Sequence, residues 1–252
     1  MPVLTVVLVS QPLGLAMVAA TAVAVGGSVP PGGPMTAAIG GGVAGCFGIG
    51  CFYAAMARGP ISIVAPIASM GAVVPIAVGL ARGEQPSALQ VAGLVVALAG
   101  IAMAVREVEH PHAIEVPARS VVLAALAGLG FGTFFVGLDA AASDDALWAA
   151  VGGRIGGSAA VVLAALALQP SLELRRAALP VLVSIAFLDT MANVLFAVAS
   201  REGLLSLVSV AASLYPVTTV LLARFVLGEK LVRVQRLGVV LALCGVAMIA
   251  GG

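Results

Sequence analysis

Polar side chains along this chain gather in short clusters, and the sequence between the clusters is almost wholly apolar. Those clusters, with Pro and Gly breaks, cut it into apolar segments at 3–25, 34–56, 61–81, 87–105, 119–138, 147–169, 179–199, 203–226 and 232–251. About 20 apolar residues in a helix match the hydrocarbon thickness of a bilayer. Backbone N–H and C=O groups in hydrocarbon must be satisfied within the segment, so each run is predicted to be an α-helix. The expected fold is all-α, a polytopic membrane protein of about nine transmembrane helices. Composition agrees: 62% of the 252 residues are hydrophobic and 9% are charged, where soluble domains carry about a quarter. Lipid is the expected solvent. Residues 1–25 lack a positively charged start and are too long for an ordinary signal-peptide core, so they read as a retained span.

The pattern also repeats. Gly83, Glu84, Gln90, Gly93, Gly100 and Met103 return as Gly228, Glu229, Gln235, Gly238, Gly245 and Met248 at a constant offset of 145 (229 − 84), and ten of the 21 paired positions are identical. Upstream, at offset 144, Ser62, Val64, Ala68 and Ser69 match Ser206, Val208, Ala212 and Ser213. Shared Ala and Val mean little in so apolar a chain; Glu and Gln recurring in register carry the signal. Duplication inside a hydrophobic chain is typical of secondary transporters.

The longest polar break, 106–120, separates four segments from five. This predicts a first repeat over 1–106, a polar linker over 107–118 and a second repeat over 119–252. The offset lays 147–169 on the start of the chain and leaves 119–138 without a counterpart. The repeat unit is therefore expected to have five helices, the first copy lacking its first. Five is odd, so the copies would run in opposite senses, an inverted repeat with the solute site near the midplane between them.

A charge at the centre of a bilayer costs about 2.5–3.5 kcal/mol on insertion scales, which makes each one a candidate for function. Arg154 and Asp189 lie well inside adjacent segments at comparable depth. Arg154 would hold an anionic group of a solute, with Asp189 as a proton- or cation-coupling carboxylate; alternatively the two neutralise each other and lock helix to helix. Asn193 follows Asp189 at i+4, on the same helical face, and joins Thr190 in a polar stripe whose other reading is interhelical hydrogen bonding. Pro66, Pro75 and Pro216 remove backbone donors in mid-segment. Pro216 keeps company with Ser209, Ser213 and Tyr215, and broken helices near repeat interfaces often line transport sites. Kinks made for packing are the other explanation. Trp148 sits at a helix start, an interfacial anchor or else a gate at the site. Glycines at 40, 41, 42, 45, 48 and 50, and at 152, 153, 156 and 157 around Arg154, predict close helix contacts; beside Arg154 they would also leave room for a solute.

Other classes find little support. Cys46, Cys51 and Cys244 lie in apolar runs and read as buried small hydrophobes. His110 and His112 form a His-Pro-His sequence with no partner at ligand spacing, so no metal site is expected. No phosphate-binding loop, nucleophile elbow or zinc-protease motif occurs. The net charge of +1 comes without a basic run, which excludes nucleic acid as an expected partner, and no cofactor is expected. Counting Lys and Arg at segment ends puts Arg58, Arg106, Arg119, Arg175, Arg176, Lys230, Arg233 and Arg236 on one side and Arg82 and Arg201 on the other. By the positive-inside rule the N-terminus would be cytoplasmic.

The run from Tyr53 to Pro60, followed by Gly83, Glu84, Gln90, Gly93 and Gly100, resembles the first EamA-type repeat of the drug/metabolite transporter superfamily. Ser213 to Pro216, with Gly228, Glu229, Gln235, Gly238 and Gly245, resembles the second. The first copy has Ser69-Met-Gly-Ala72 in place of the Ser-Leu-Tyr-Pro element, and it is expected to lack the first helix of the family's repeat. The resemblance implies a membrane carrier of small metabolites such as amino acids or drugs, often an exporter, with its C-terminus in the cytoplasm, opposite to the Lys/Arg count.

The combined reading is not an enzyme but a multi-pass plasma-membrane efflux carrier, monomeric or homodimeric, using alternating access without ATP and with proton coupling through Asp189. Its partners would be a small-molecule solute and the bilayer, and its site Arg154, Asp189, Asn193, Ser209, Ser213, Tyr215 and Trp148. A non-transporting membrane sensor or assembly partner, or a truncated inactive carrier, is the alternative.

Overall fold

A computed structural model of the protein describes residues 3–104, 117–169, 176–218, 221 and 232–252. Regular structure among them is helical throughout: α1 (Val3–Val25), α2 (Gly32–Met56), α3 (Ile61–Ser69), α4 (Val73–Ala81), α5 (Ala88–Ala104), α6 (Ala118–Ala142), α7 (Ala146–Leu168), α8 (Leu179–Glu202), α9 (Leu205–Ala212) and α10 (Arg233–Gly251). Seven helices among the described residues are long and apolar enough to cross a membrane. Leu163, Leu166, Leu168, Leu188 and Leu195 stand exposed on them, as side chains solvated by lipid would. The chain is an all-α polytopic membrane protein. Most of the polar linker, His110 and His112, and the second Gly-Glu pair at Gly228 and Glu229 lie outside the described residues.

Two predicted segments are broken helices. Over 61–81 the chain passes from α3 through a 3₁₀ turn, Met70–Ala72, into α4. After α9 it turns at 213–214 and is helical again over 215–218. Proline supplies the reason, because it cannot donate to the carbonyl four residues earlier. For Pro75 that carbonyl belongs to Gly71, and for Pro216 to Ala212, so each break sits where a bond is missing. Pro12 and Pro66, by contrast, lie inside their helices.

The chain forms two compact units, residues 1–49 with 130–203 and residues 50–129 with 204–252. They do not follow the two sequence repeats; each takes helices from both halves.

In the second unit α5 and α10 lie against each other along small residues. A Cβ on Gly93 would meet Gly245 and Ile249, one on Gly100 would meet Ala242 and Gly238, and one on Gly238 would meet Ala104. Rising numbers on α5 meet falling numbers on α10, so the pair is antiparallel. The seam also maps onto itself at offset 145: Gly93 touches the counterpart of Gly100, and Gly100 touches the counterpart of Gly93. Above and below it lie apolar clusters, Ala97 with Leu207, Val210 and Ile249, and Ile101 with Val217, Val239 and Ala242.

Those repeated polar residues that are described, Glu84, Gln90 and Gln235, close helix ends. Gln90 Oε1 accepts the Ser87 N–H at 2.8 Å while Ser87 Oγ accepts the Gln90 N–H at 3.2 Å, a reciprocal capping box at the start of α5. Gln235 Oε1 likewise accepts the Val232 N–H at 3.1 Å before α10. Glu84 reaches further: its Oε1 accepts the Leu205 N–H at 2.6 Å and its Oε2 the Ser206 N–H at 3.2 Å. A carboxylate from the loop after α4 thus caps α9, where the helix dipole favours negative charge.

In the first unit α2 is the packing post. A Cβ on Gly42 would run into Gly153, and one on Gly156 into Ile39; Gly41 faces Gly137 of α6, and Gly130 faces Ala44 and Gly48. Gly40 and Gly50, expected to pack, meet nothing within 4 Å and stand on the outer face instead. Cys244 is also exposed rather than buried, while Cys51 is buried and Cys46 intermediate.

Gly100→Ala should therefore destabilise the protein by about 1–3 kcal/mol, the range for overpacking, whereas Gly40→Ala should be neutral or slightly stabilising. Unfolding in mixed micelles compares them; equal effects would contradict the seam. Glu84→Ala should cost about 1–2 kcal/mol, as for a lost helix cap, and raise hydrogen exchange selectively at Leu205 and Ser206. Unchanged exchange there would show that the carboxylate is not the cap.

Candidate functional site: a buried guanidinium between three helices

Arg154 is the ninth of the 23 residues of α7, Gln11 the ninth of 23 in α1, and Asp189 the eleventh of 24 in α8. All three sit near mid-helix, and the packing of α1, α7 and α8 on one another brings them together. Arg154 Nη1 donates to Gln11 Oε1 at 3.0 Å, and Nη2 lies 2.9 Å from Asp189 Oδ2. The partners differ in environment: 2% of the Arg154 side chain is exposed, against 47% of Asp189.

Glycine makes the room. A Cβ on Gly14 would lie 2.5 Å from Thr190 Oγ1 and 3.1 Å from Arg154 Cζ, and one on Gly157 would lie 3.1 Å from Gln11 Oε1. The other glycines around Arg154 serve packing rather than solute space. Gly152 abuts Ala38 and Met35, Gly153 abuts Phe134, and Gly156 abuts α2. They hold α7 flush against α2 and α6 and leave its opposite face to carry the guanidinium toward α1 and α8.

The site is polar beyond what it satisfies. Arg154 Nε and Nη2 have no hydrogen-bond partner, nor do the buried hydroxyls of Thr190 and Ser158. The Nη2 contact with Asp189 is thus an ion pair without an aligned hydrogen bond. Each unmet buried donor costs about 1–3 kcal/mol, more when charged. The Nε–Nη2 edge is the fork that grips a carboxylate through two parallel bonds. What this arrangement can do chemically is bind the oxygens of an anion.

The other predicted residues divide in two. Trp148 belongs to the same unit but lies six residues before Arg154, about 9 Å along the helix; its Nε1 donates to Gly27 O at 3.1 Å. Beside it Asp145 caps α7 through the N–H groups of Leu147 and Trp148 at 2.9 and 3.0 Å. Asn193 is half-buried one turn beyond Asp189. Ser209, Ser213 and Tyr215 belong to the second unit. Tyr215 OH donates to Ala65 O at 3.2 Å, Ser213 Oγ to Ser209 O at 2.8 Å, and the buried hydroxyls of Ser206 and Ser209 have no partner. No group of three or more potential metal ligands occurs among the described residues. Sequence reading pairs Gln11 with Arg154 by the repeat offset but leaves it out of the site. Its signal was present, a lone amide inside an apolar helix at the position that corresponds to Arg154.

Removing Asp189 strands a buried cation. Asp189→Ala should cost about 3 kcal/mol, the lower end for breaking a buried ion pair, and adding Arg154→Met should recover most of it. Additive losses in the double variant, read by thermal unfolding in micelles, would argue against the coupling.

The family model described as the EamA-like transporter family matches residues 118–251. No curated protein matches the chain. Among solved structures, one described only as a crystal structure of a protein is similar over 99% of this chain and 89% of that one, with a TM-score of 0.83 and 17% identity. That likeness bears on the fold alone.

Proposed function

Because this chain belongs to the EamA-like transporter family, and is a membrane transporter of the drug/metabolite type, we propose that it is a secondary-active carrier of small carboxylate-bearing metabolites, with Arg154 as the anchor of the carboxylate. Solutes such as amino acids or acidic drug-like compounds fit this reading, as do export across the plasma membrane and alternating access without ATP. The single observation that carries the substrate class is the buried guanidinium whose Nε has no partner and whose Nη2 meets Asp189 without an aligned hydrogen bond. A pair serving only to lock two helices would have no use for an unpartnered Nε on the cation or for two unpartnered hydroxyls beside it.

The alternating-access reading rests on the repeat. Between α5 and α10 the packing is antiparallel and reciprocal, as an inverted repeat about an axis in the membrane plane requires. The same holds for α1 and α7 at offset 143, where Gly14 lies against Arg154 and its counterpart Gly157 lies against Gln11. Two copies of one unit exchanging conformations is the general means by which such carriers open to either side.

Counterflow of labelled amino acids and monocarboxylates into proteoliposomes tests the proposal. Arg154→Gln should lower flux of a transported carboxylate at least tenfold, and Arg154→Lys should not restore it, because an ammonium has no planar fork. Full flux in folded Arg154→Gln protein would sink the assignment. No flux of any carboxylate in the parent protein would favour the sensor or assembly role instead.

A further inference from the structure

The charges at the site impose a stoichiometry. Empty, it holds one cation and one carboxylate in contact, Arg154 and Asp189 at 2.9 Å. A solute carboxylate arriving at the Nε–Nη2 fork brings a second negative charge to the same guanidinium, at a depth where an uncompensated charge costs about 2.5–3.5 kcal/mol.

Among the described residues no other charge is at hand to balance it. On the elements packed against α8, α1 has no titratable side chain, α7 has only Arg154, and α6, whose Phe135 stacks on Phe196, has Arg119 near its start and Asp139 near its end. The turn before α8 carries Arg176, and α8 itself carries Arg201 and Glu202 in its last turn. Asp189 is the member of the pair that the protein does not enclose. Its side chain is 47% exposed, whereas Arg154 is enclosed by α1, α7 and α8.

We propose that the site takes each carboxylate together with one cationic equivalent, delivered at Asp189. This rests on the reading of Arg154 as the carboxylate anchor. For a plain monocarboxylate the equivalent is a proton, which moves from the solvent to the Asp189 carboxylate as the solute takes over Arg154, and returns to the solvent on release. For an amino acid the equivalent is its own ammonium group, which pairs with ionised Asp189, so no proton is taken up. One site thereby binds a monocarboxylate with a proton as a neutral pair, and an amino acid as a zwitterion. Asp189 acts as the charge-matching residue and Arg154 as the anchor.

Matched solutes that differ only in the ammonium group separate the two modes: acetate and glycine, butyrate and 2-aminobutyrate, 4-methylpentanoate and leucine. Binding to the purified full chain in micelles is followed by titration calorimetry in two buffers of different ionisation enthalpy, which counts protons directly. A background of His110→Gln and His112→Gln removes the side chains that titrate in the same pH range. The expected result is one proton taken up per monocarboxylate, with affinity falling about tenfold per pH unit by linkage, and none for the amino acid of the same pair. Asp189→Asn should abolish the uptake and make monocarboxylate binding independent of pH. The wild-type proton count stands without that variant, should it fail to fold. Monocarboxylate binding without proton uptake, or equal uptake for both members of a pair, would overturn the proposal while leaving Arg154 as the anchor. Binding that survives Arg154→Gln, or none of the six solutes binding, would overturn the anchor and the stoichiometry together.

Discussion

Helices dissolved in lipid are not driven together by the hydrophobic effect, since a leucine is as well solvated by an acyl chain as by another leucine. What holds them is close backbone approach, with dispersion and weak polar attraction summed along a long seam. The rest of this structure depends on that constraint. Glycines line the faces where α2 meets α7 and α6 and where α5 meets α10, and at most of them a single methyl group would strike a neighbouring backbone. With α7 held flush on one side, its other side can present an arginine at a fixed depth without the helix rolling away from the charge. The guanidinium owes its position to glycines that never touch it.

The repeated residues that carry the sequence resemblance belong to this scaffold. Glu84 caps α9, Gln90 and Gln235 close the starts of α5 and α10, and the glycines that follow them form the seam between those helices. Arg154, Asp189 and Gln11 lie outside the motif.

The same division governs what could be read from the sequence. Helix positions were legible within a few residues because hydrocarbon leaves the backbone no alternative, and α1 begins and ends where the apolar run does. The pairing of Arg154 with Asp189 was legible because isolated charges at such depth are expensive and these two were the only candidates. Gln11 was not, since an amide in an apolar helix has many inexpensive uses. The glycines of α2 were legible as a group but not one by one: Gly41 and Gly42 pack while Gly40 beside them meets nothing, and only the azimuth around the helix tells them apart. The two compact units were illegible altogether. Each is assembled from both sequence repeats, and that mixing arises from tertiary packing the linear pattern does not contain.

Gln11 and Arg154 hold corresponding positions in helices of equal length, α1 and α7, and they touch. Under a two-fold rotation most residues lie far from their counterparts; only those beside the axis meet them. The same geometry explains why Gly14 and Gly157 flank the pair on either side, each against the other's neighbour. On the proposed alternating-access reading, a residue on such an axis would belong equally to both copies of the repeat and be passed between them as they exchange conformations. The proposed solute anchor would then serve both sides of the membrane. Duplication would have supplied the axis with two identical residues. Here one position has become arginine and the other glutamine, so a single positive charge faces a single acceptor. The asymmetry converts a point of symmetry into a site with one charge to satisfy.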